Sequence, residues 1–337
     1  MARPPARRPP AARRKDGPIG AARNSATDVV QIPHAGDAVL RIGARDVRLT
    51  NLHKPFWSAP SITKGDLLRY YARMAPVLVP HLRDRAMVMK RYPHGADGPF
   101  FFMKRAPAAR PAWIETCAIE HGSGSVIRFP MVQDLASLLW VVNLGCIDLN
   151  QWYARCDDVD RPDCLHFDLD PGEGVSFERV REAGFILRDA LQALRMPAFV
   201  KTTGSRGLHV YVPITRGPVQ KDVWRFAKAL ALELAARHAA LLTSEYRIAN
   251  RPRGRVLVDY NQNAWGRTLA SVYSVRPRPR APVSAPITWE ELGAGVRIDD
   301  FRLDNLPARV AASGDLWKSL VRARGRFDLG AFLKAAR

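Results

Sequence analysis

Long apolar runs and recognisable export signals are missing from this chain of 337 residues. No run reaches the roughly 18 apolar residues that a helix needs to cross a bilayer. The N-terminus is rich in arginine, proline and alanine, but it lacks the apolar segment of a secretory signal. We therefore expect a soluble, intracellular protein that does not engage a membrane.

Cysteines are few and their spacing carries no motif. None of the four, at positions 117, 146, 156 and 164, is spaced as Cys-x-x-Cys, so neither a zinc ribbon nor a disulfide framework is indicated. We expect reduced and mostly buried thiols, as in a cytosolic protein.

Acidic residues are scarce relative to basic ones, 32 against 52, which gives a formal net charge of +20. Residues 1–26 hold seven basic residues and one acidic residue, so a charge of +14 remains on the rest. A basic surface without an amphipathic basic helix or a lipidation motif indicates nucleic acid as the partner. It also favours a cytoplasmic, nucleoid-associated location. The alternative is a GC-rich genome that enriches arginine without functional purpose.

The chain divides into a tail and a folded part. Residues 1–27 contain Pro-Pro twice and almost no large apolar side chain, which predicts a disordered basic tail, and residues 28–337 are predicted to fold as one domain. Strands and helices are mixed without a regular βαβ order, so an α+β fold is favoured. Periodicity predicts a hairpin over 39–49, strands over 87–92, 100–104, 165–170 and 256–260, two strands over 199–214, helices from 63 and over 134–144, 177–194 and 223–238, and an extended segment over 277–286.

Two aspartates stand one residue apart in the apolar run Leu-His-Phe-Asp-Leu-Asp-Pro-Gly at 165–172. Alternate side chains of a strand share a face, so Asp168 and Asp170 should emerge side by side. Their repulsion would be relieved by a divalent metal ion with oxygen ligands. Beside a basic surface, such a metal indicates chemistry on phosphates.

A third aspartate, Asp259, ends the apolar stretch Val-Leu-Val. A carboxylate that adjoins a buried strand needs a partner, and a salt bridge to an arginine is the simplest alternative. Three aspartates on strands fit a two-metal phosphoryl-transfer site better than three unrelated ion pairs.

The segment 201–212 combines two glycines, hydroxyl groups and an arginine between two strands. This composition suits a turn whose backbone N–H groups face a phosphate. His209 alternates with Leu208 and Val210, so it lies on the polar face and could donate to a triphosphate oxygen; a structural histidine is the alternative. The loop lacks the Gly-Lys-Ser/Thr ending of a P-loop.

Several ordered motifs closely resemble the polymerase domain of bacterial DNA ligase D, which belongs to the archaeo-eukaryotic primase superfamily and serves non-homologous end joining. The resemblance runs from about residue 47 to 320. The matching stretches are 52–57 (Leu-His-Lys-Pro-Phe-Trp), 90–93, 101–104, 143–147, 166–174, 201–213, 256–263 and 273–279.

The resemblance implies a role for each matching residue. Asp168, Asp170 and Asp259 would bind two Mn²⁺ or Mg²⁺ ions, and Asp259 would also assist deprotonation of the primer 3′-hydroxyl. Lys54 and Lys64 would capture the 5′-phosphate across a gap; a pair of solvated lysines is the alternative. Phe101 and Phe102 would stack near the template base. The residues implied in nucleotide binding are Lys90, Thr203, Ser205, Arg206, His209 and Arg276.

The chain departs from the family pattern in four places. Thr203 and Arg206 replace the usual serine and lysine, which keeps the hydroxyl and the charge. Asn150 stands where many relatives have histidine, so the resemblance assigns Asn150 no contact with nucleotide. Ala-Trp-Gly-Arg at 264–267 replaces the usual Arg-Gly, so the basic group is expected to be displaced by one or two residues. Neither a ligase Lys-x-Asp-Gly motif nor a second large domain is present, which predicts a free-standing polymerase unit.

The resemblance implies an archaeo-eukaryotic primase-like fold, with mixed or antiparallel sheets flanked by helices around a central cleft. The implied function is a template-dependent nucleotidyltransferase that accepts ribonucleotides and extends or gap-fills 3′ ends at DNA double-strand breaks. Its partners would be DNA ends or a gapped duplex with a 5′-phosphate, nucleoside triphosphates, Ku and a DNA ligase. Three alternatives remain: a primase that starts chains de novo, a non-catalytic end-binding module, and a metal-dependent nuclease, which would not need the loop around His209.

Overall fold

The computed structural model describes residues 30–322 and 324–335, so the predicted tail over 1–27 lies outside the described residues. The helices are α1 (Lys64–Leu82), α2 (Leu135–Asn143), α3 (Phe177–Ala193), α4 (Gln220–Arg237), α5 (Trp289–Gly293), α6 (Leu306–Ser313) and α7 (Leu329–Ala335). The strands are β1 (Ala38–Ile42), β2 (Arg45–Leu49), β3 (Pro55–Trp57), β4 (Ile62–Thr63), β5 (Met87–Arg91), β6 (Phe101–Met103), β7 (Thr116–Glu120), β8 (Val126–Pro130), β9 (Cys146–Gln151), β10 (Ala154–Arg155), β11 (Asp158–Pro162), β12 (Cys164–Pro171), β13 (Phe199–Thr202), β14 (Leu208–Pro213), β15 (Leu242–Thr243), β16 (Val256–Asp259) and β17 (Pro286–Ile287).

Two sheets form the framework. The larger has the strand order β15-β16-β12-β14-β13-β17, and the smaller has the order β6-β5-β9. Neighbouring strands are antiparallel except β15 and β16, which are parallel. The predicted α+β class is confirmed. No helix in the described residues is both long and apolar enough to span a membrane.

Strand β12 lies between β14 and β16 near the centre of the larger sheet. Leu165, Phe167 and Leu169 are fully buried, and together they anchor one face of the strand in the hydrophobic core. Because side chains alternate along a strand, Asp168 and Asp170 share the opposite face. The apolar residues therefore determine where the carboxylates point.

Helix α1 begins where the sequence predicted. The Thr63 hydroxyl accepts a hydrogen bond from the Asp66 N–H at 3.1 Å, and the Asp66 carboxylate accepts one from the Thr63 N–H at 2.8 Å. This reciprocal capping satisfies N–H groups that the first helical turn leaves free. Helices α2, α3 and α4 and the strand pairs around them also match the predicted segments within a few residues.

Three features differ from the sequence-based expectations. The segment predicted to be extended over 277–286 forms a turn over 277–280, and only residues 282–286 fit the prediction, with isolated pairings at Val275–Val283 and Pro282–Arg302 and with Pro286 in β17. The hairpin β7–β8 was not predicted. The expectation of four reduced thiols was wrong for Cys117 and Cys156, which form a disulfide. They are 39 residues apart, so no local motif marks the pair.

A buried ion pair joins the segment before β5 to the segment before β12. Both oxygens of Asp163 accept from Arg85 Nη2 at 2.7 Å, and the two side chains are only 2% and 6% exposed. Arg155 and Arg326 also lie within 3.1 and 3.8 Å of this carboxylate. Removing the Asp163 carboxylate would leave three guanidinium groups close together without this negative charge between them.

We therefore expect Asp163→Ala to lower the free energy of unfolding by about 3–5 kcal/mol. The control is Asp46→Ala, which removes the exposed 2.9 Å pair with Arg41 and should cost less than about 1 kcal/mol. Urea unfolding followed by circular dichroism measures both. Equal losses in the two variants would contradict the importance of the buried pair.

Candidate active site

The polar faces of the two sheets enclose a cleft of about 440 Å³, a size typical of small-molecule sites. The larger sheet and its connections contribute Asp168, Asp170 and His209, and the smaller sheet contributes Lys90 and Asp148. The remaining walls are formed by Val88, Phe102, Lys104, Asn150, Thr203, Ser205, Gln262, Gly266, Arg267, Thr268, Leu269, Ala270 and Arg276.

Two of the three predicted aspartates, Asp168 and Asp170, line the cleft, and the third, Asp259, is their neighbour in the sheet but is not part of the cleft wall. Asp259 of β16 lies directly opposite Asp168 in the antiparallel register, and opposed residues of such a pair have Cα atoms about 4.5–5.5 Å apart. The Asp259 carboxylate accepts from the Asn261 N–H at 2.7 Å and from Gln262 Nε2 at 2.9 Å. In the described residues, the basic side chain within 4 Å of these three acids is His209, whose Nε2 lies 3.3 Å from Asp168 Oδ1. The alternative of separate salt bridges to arginine is therefore not what the structure has.

Burial raises the pKa values of all three aspartates, and repulsion between neighbouring carboxylates adds to the effect for Asp168 and Asp170. Burial and the Asp259 charge raise the pKa of Asp168 to about 7. The Asp168 charge and burial raise the pKa of Asp170 to about 7, and burial raises the pKa of Asp259. Asp168 Oδ1 lies 3.3 Å from His209 Nε2, but this contact is not a hydrogen bond, so the buried oxygen has no hydrogen-bond partner in the described residues. Added positive charge would stabilise all three carboxylates.

The oxygen donors fit a divalent cation. Within the described residues, no group of three or more histidine, cysteine, aspartate or glutamate side chains is arranged to bind a metal ion by itself. Mg²⁺ is ordinarily bound by one or two carboxylates together with phosphate oxygens and water. The unpartnered oxygen of Asp168 and the repulsion between neighbouring acids match that donor set.

His209 is held in one orientation by a buried lysine. Lys201 Nζ lies 2.7 Å from His209 Nδ1 and donates to the Ala270 carbonyl at 3.0 Å. Burial and the Lys201 charge keep the pKa of His209 well below its ordinary value, so the ring is neutral, and burial also lowers the pKa of Lys201. When Nδ1 accepts from Lys201, the ring proton lies on Nε2, the atom that faces Asp168 and the cleft.

The turn after β13 differs from the prediction in one respect. The Thr203 hydroxyl accepts hydrogen bonds from the N–H groups of Ser205, Arg206 and Gly207 at 3.1–3.2 Å, so these N–H groups do not face the cleft. The threonine thus shapes the turn from inside, as hydroxyl side chains often do. Gly207 is required, since a Cβ there would lie 2.1 Å from the Leu169 carbonyl oxygen.

The side chains of this turn divide between two cavities. Thr203 and Ser205 line the cleft. Arg206 instead lines a neighbouring cavity of about 550 Å³, which Ser205 also borders. The structure therefore brings five of the six residues predicted for nucleotide binding into the cleft and places Arg206 beside it.

A buried acid that the sequence analysis missed organises the opposite wall. Asp148 is 2% exposed, and its oxygens lie 3.2 Å from Lys90 Nζ and 3.4 Å from Arg276 Nε. Arg276 also donates to the Thr203 carbonyl at 2.6 Å. Asp148 thus holds two cations of the cleft side by side. The sequence feature that could have identified Asp148 is its position between two apolar residues, Ile147 and Leu149, in β9.

Two departures from the family pattern also face the cleft. Asn150 lines it, and its side-chain amide donates to the Asp148 carbonyl at 3.2 Å. Arg267 lines it as well, and its charge lowers the pKa of Asp259 against the effect of burial. The displaced basic group therefore remains near the carboxylates.

The two predicted stacking residues lie on the edge strand β6 and are exposed by 43% and 59%. Phe102 reaches the cleft, and the Lys90 ammonium lies 5.9 Å from the centre of its ring. Phe101 is instead paired with Arg91, whose guanidinium carbon lies 5.3 Å from the ring centre.

The two predicted phosphate-binding lysines share a separate cavity of about 270 Å³, together with Arg91. Lys64 is 5% exposed and donates to the Thr50 carbonyl at 2.7 Å, and Lys54 donates to the Pro93 carbonyl at 2.7 Å. Burial, with the Lys54 charge, lowers the pKa of Lys64 to about 8. The alternative of two solvated lysines is wrong for Lys64.

The raised pKa of Asp168 predicts a stability change with a definite sign. An acid whose pKa is raised on folding stabilises the folded state only at low pH, and this contribution is lost as the pH rises through about 7. Without divalent ions, Asp168→Asn should therefore raise the melting temperature by a few degrees at about pH 8, and by less at about pH 5.

Thermal unfolding in the presence of a chelator measures this change. The control is Asp46→Asn, whose exposed carboxylate should give no such gain at either pH. A melting temperature for Asp168→Asn that stays at or below that of the parent at both pH values would show that the three acids do not repel one another.

Comparison with known proteins identifies relatives over most of the chain. The family model of the LigD primase-polymerase domain matches residues 63–317. The multifunctional non-homologous end joining protein LigD of Mycobacterium bovis is 33% identical over 282 residues, which cover 81% of this chain and 37% of that protein. LigD of Pseudomonas aeruginosa is 30% identical over 295 residues, which cover 86% of this chain and 34% of that protein. The chain thus spans a little over a third of the length of these relatives.

A solved structure shows the same fold. The polymerase domain of Mycobacterium tuberculosis ligase D, in complex with DNA, superposes with a TM-score of 0.77 at 32% sequence identity. The match covers 82% of this chain and 98% of that one.

Proposed function

This chain belongs to the LigD primase-polymerase domain family, and we propose from that premise that it is a template-dependent nucleotidyltransferase. It would extend or gap-fill 3′ ends at DNA double-strand breaks in non-homologous end joining. The observation that carries the proposal is the division of the cleft. Asp168 and Asp170 line one side, with Asp259 next to Asp168 in the sheet register, and Lys90 and Arg276, which share the Asp148 carboxylate, also line the cleft.

The acidic side of the cleft suits the metal ions of this reaction. Asp168, Asp170 and Asp259 would hold two Mn²⁺ or Mg²⁺ ions. When bound, the ions supply neutralising charge at the attacking and leaving oxygens. Asp259 is oriented by hydrogen bonds from the Asn261 N–H and from Gln262 Nε2. It would accept the proton of the primer 3′-hydroxyl.

The basic side of the cleft suits a triphosphate. His209 would donate from Nε2 to a phosphate oxygen, since Nδ1 is already occupied by Lys201. Lys90 and Arg276, held by Asp148, would neutralise the phosphates without having to reorganise when substrate arrives. Thr203 and Ser205 would complete the contacts, and Arg206 would reach the nucleotide from the neighbouring cavity.

The remaining contacts concern DNA. Phe102 would stack near the template base at the cleft, with Phe101 beside it. Lys54 and Lys64, with Arg91, would bind the 5′-phosphate on the far side of a gap. The relative in complex with DNA and the net charge of +20 support DNA ends as substrate. Ku and a DNA ligase are proposed as partners, ribonucleotides as preferred substrates, and the nucleoid-associated cytoplasm as the location.

Primer extension on a gapped duplex tests the catalytic proposal. Asp168→Ala and Asp170→Ala should each lower incorporation by at least about 1000-fold, because neither variant retains the full set of metal ligands, while binding to DNA ends changes little. Asp46→Ala serves as the matched control at an exposed carboxylate.

The same assay separates the alternatives. Ribonucleotides and deoxynucleotides are compared with Mn²⁺ and Mg²⁺, on templates with and without a primer. Synthesis without any primer would favour a primase, and binding without metal-dependent synthesis would favour an end-binding module. Full extension by either aspartate variant would refute the metal assignment.

The lysine pair makes a pH-dependent prediction. A 5′-phosphate should raise affinity for the gapped duplex over a 5′-hydroxyl, and Lys64→Ala should abolish that gain. In the parent protein the gain should shrink as the pH rises through and above about 8, because the Lys64 ammonium then loses its proton. Fluorescence anisotropy with the two duplexes measures it.

Lys318→Ala is the control, since Lys318 is exposed and lies outside the phosphate cavity. A phosphate preference that Lys64→Ala leaves unchanged would place the 5′-phosphate site elsewhere.

A further inference from the structure

A second groove lies outside the cleft, between the start of α4 and the segment that follows Asp259. It encloses about 450 Å³ and is lined mainly by apolar groups. Its walls are formed by Asp160, Val219, Gln220, Lys221, Trp224, Ala264 and Trp265, and the Asp160 carboxylate among them is engaged by the Trp265 indole N–H. We call it the tryptophan groove. None of the roles described above uses it.

The two tryptophan rings are held in place by the protein. Trp224 Nε1 donates to Asn261 Oδ1 and Trp265 Nε1 donates to Asp160 Oδ1, both at 3.2 Å. The Trp265 ring also packs edge-on against Trp152, with ring centres 5.0 Å apart, yet it remains 39% exposed. Because both indole N–H groups are satisfied, the rings offer a ligand only their apolar faces.

A polar acceptor and two cations accompany the rings. Gln220 is 5% exposed; its amide nitrogen donates to the Ala264 carbonyl at 3.3 Å, and its Oε1 has no partner in the described residues. A buried acceptor without a donor is costly, so a ligand N–H would be favoured there. Lys221 is exposed at the rim, and Lys228 Nζ lies 5.2 Å from the Trp224 ring centre.

The groove adjoins the cleft through the chain itself. Trp265 forms part of the groove, and Gly266 and Arg267 directly after it line the cleft. The segment around residue 265 therefore separates the two cavities as a shared wall. Trp265 also belongs to the stretch in which this chain departs from the family pattern.

We propose that the tryptophan groove binds single-stranded nucleic acid next to the cleft. A nucleobase would stack on the tryptophan faces, and its exocyclic amino group would donate to Gln220 Oε1. The flanking phosphates would lie near Lys221 and Lys228. Flat aromatic surfaces and lysines suit a base attached to a polyanion, and such stacking tolerates any sequence. The proposal requires no catalysis, so it can fail or succeed independently of the proposed polymerase function.

Photo-cross-linking locates the binding site directly. A short single strand that carries 5-bromodeoxyuridine and no 5′-phosphate is irradiated with the full chain, without metal ions or nucleotides. Fragmentation mass spectrometry should assign the cross-links to Trp224 or Trp265 themselves, because Gln262, Gly266 and Arg267 on the same peptide as Trp265 line the cleft. Cross-links assigned only to residues of the cleft, with none on either tryptophan, would overturn the proposal.

Affinity measurements with matched variants provide the second test. Trp265→Ala should weaken binding of the single strand by about 5- to 100-fold, the range of one lost base stack, and Trp265→Phe should restore most of it. Binding of a blunt duplex should be unaffected by either change. Equal affinities of the alanine and parent proteins for the single strand would refute the stacking role.

The charge contribution has its own control. Lys221→Glu should weaken single-strand binding and flatten its dependence on salt, because one phosphate contact is lost. Lys318→Glu makes the same charge change at an exposed lysine outside the groove and should have a much smaller effect. Indistinguishable losses in the two variants would mean that only net charge matters and would contradict the proposal.

Discussion

The site depends on repulsion among carboxylates that the fold does not allow to separate. Asp168 lies opposite Asp259 in the register of β12 and β16, and Asp170 shares its face two residues later. The intervening Leu169 is fully buried, as is Phe167 before it, so the strand cannot rotate without exposing core side chains. The burial of apolar residues on one face therefore maintains an unfavourable concentration of negative charge on the other, and a bound cation relieves it.

On the other wall of the cleft, two positive charges are held close together by a buried acid. Lys90 and Arg276 would repel each other, and the buried Asp148 carboxylate between them stabilises both. Lys201 acts in a comparable way behind His209, where its contact with Nδ1 leaves Nε2 facing the cleft. In each case a buried partner orients a group of the cleft, so the polar groups are arranged before any substrate binds. Such preorganisation lowers the cost of reorganising the site during a reaction.

The sequence was sufficient to predict features that depend on the local alternation of side chains or on ordered motifs. The alternation around Asp168 predicted its shared face with Asp170, and the Thr63–Asp66 pair predicted the start of α1. Asp148 was missed because its importance comes from the cross-strand position of Lys90 and from Arg276, which is remote in sequence. Likewise, the disulfide of Cys117 with Cys156 requires long-range packing that no local pattern encodes.

The turn at 203–207 shows how a correct composition can still mislead. Glycines and hydroxyls were expected to leave backbone N–H groups free for phosphate, yet the Thr203 hydroxyl accepts from three of them. Gly207 approaches the Leu169 carbonyl closely, so the turn also packs against β12. Ser205 lies at the border of both cavities, and the turn presents side chains to the cleft. A triphosphate bound here would be recognised through side chains, which single substitutions can alter, and this chain has Arg206 where the family usually has lysine.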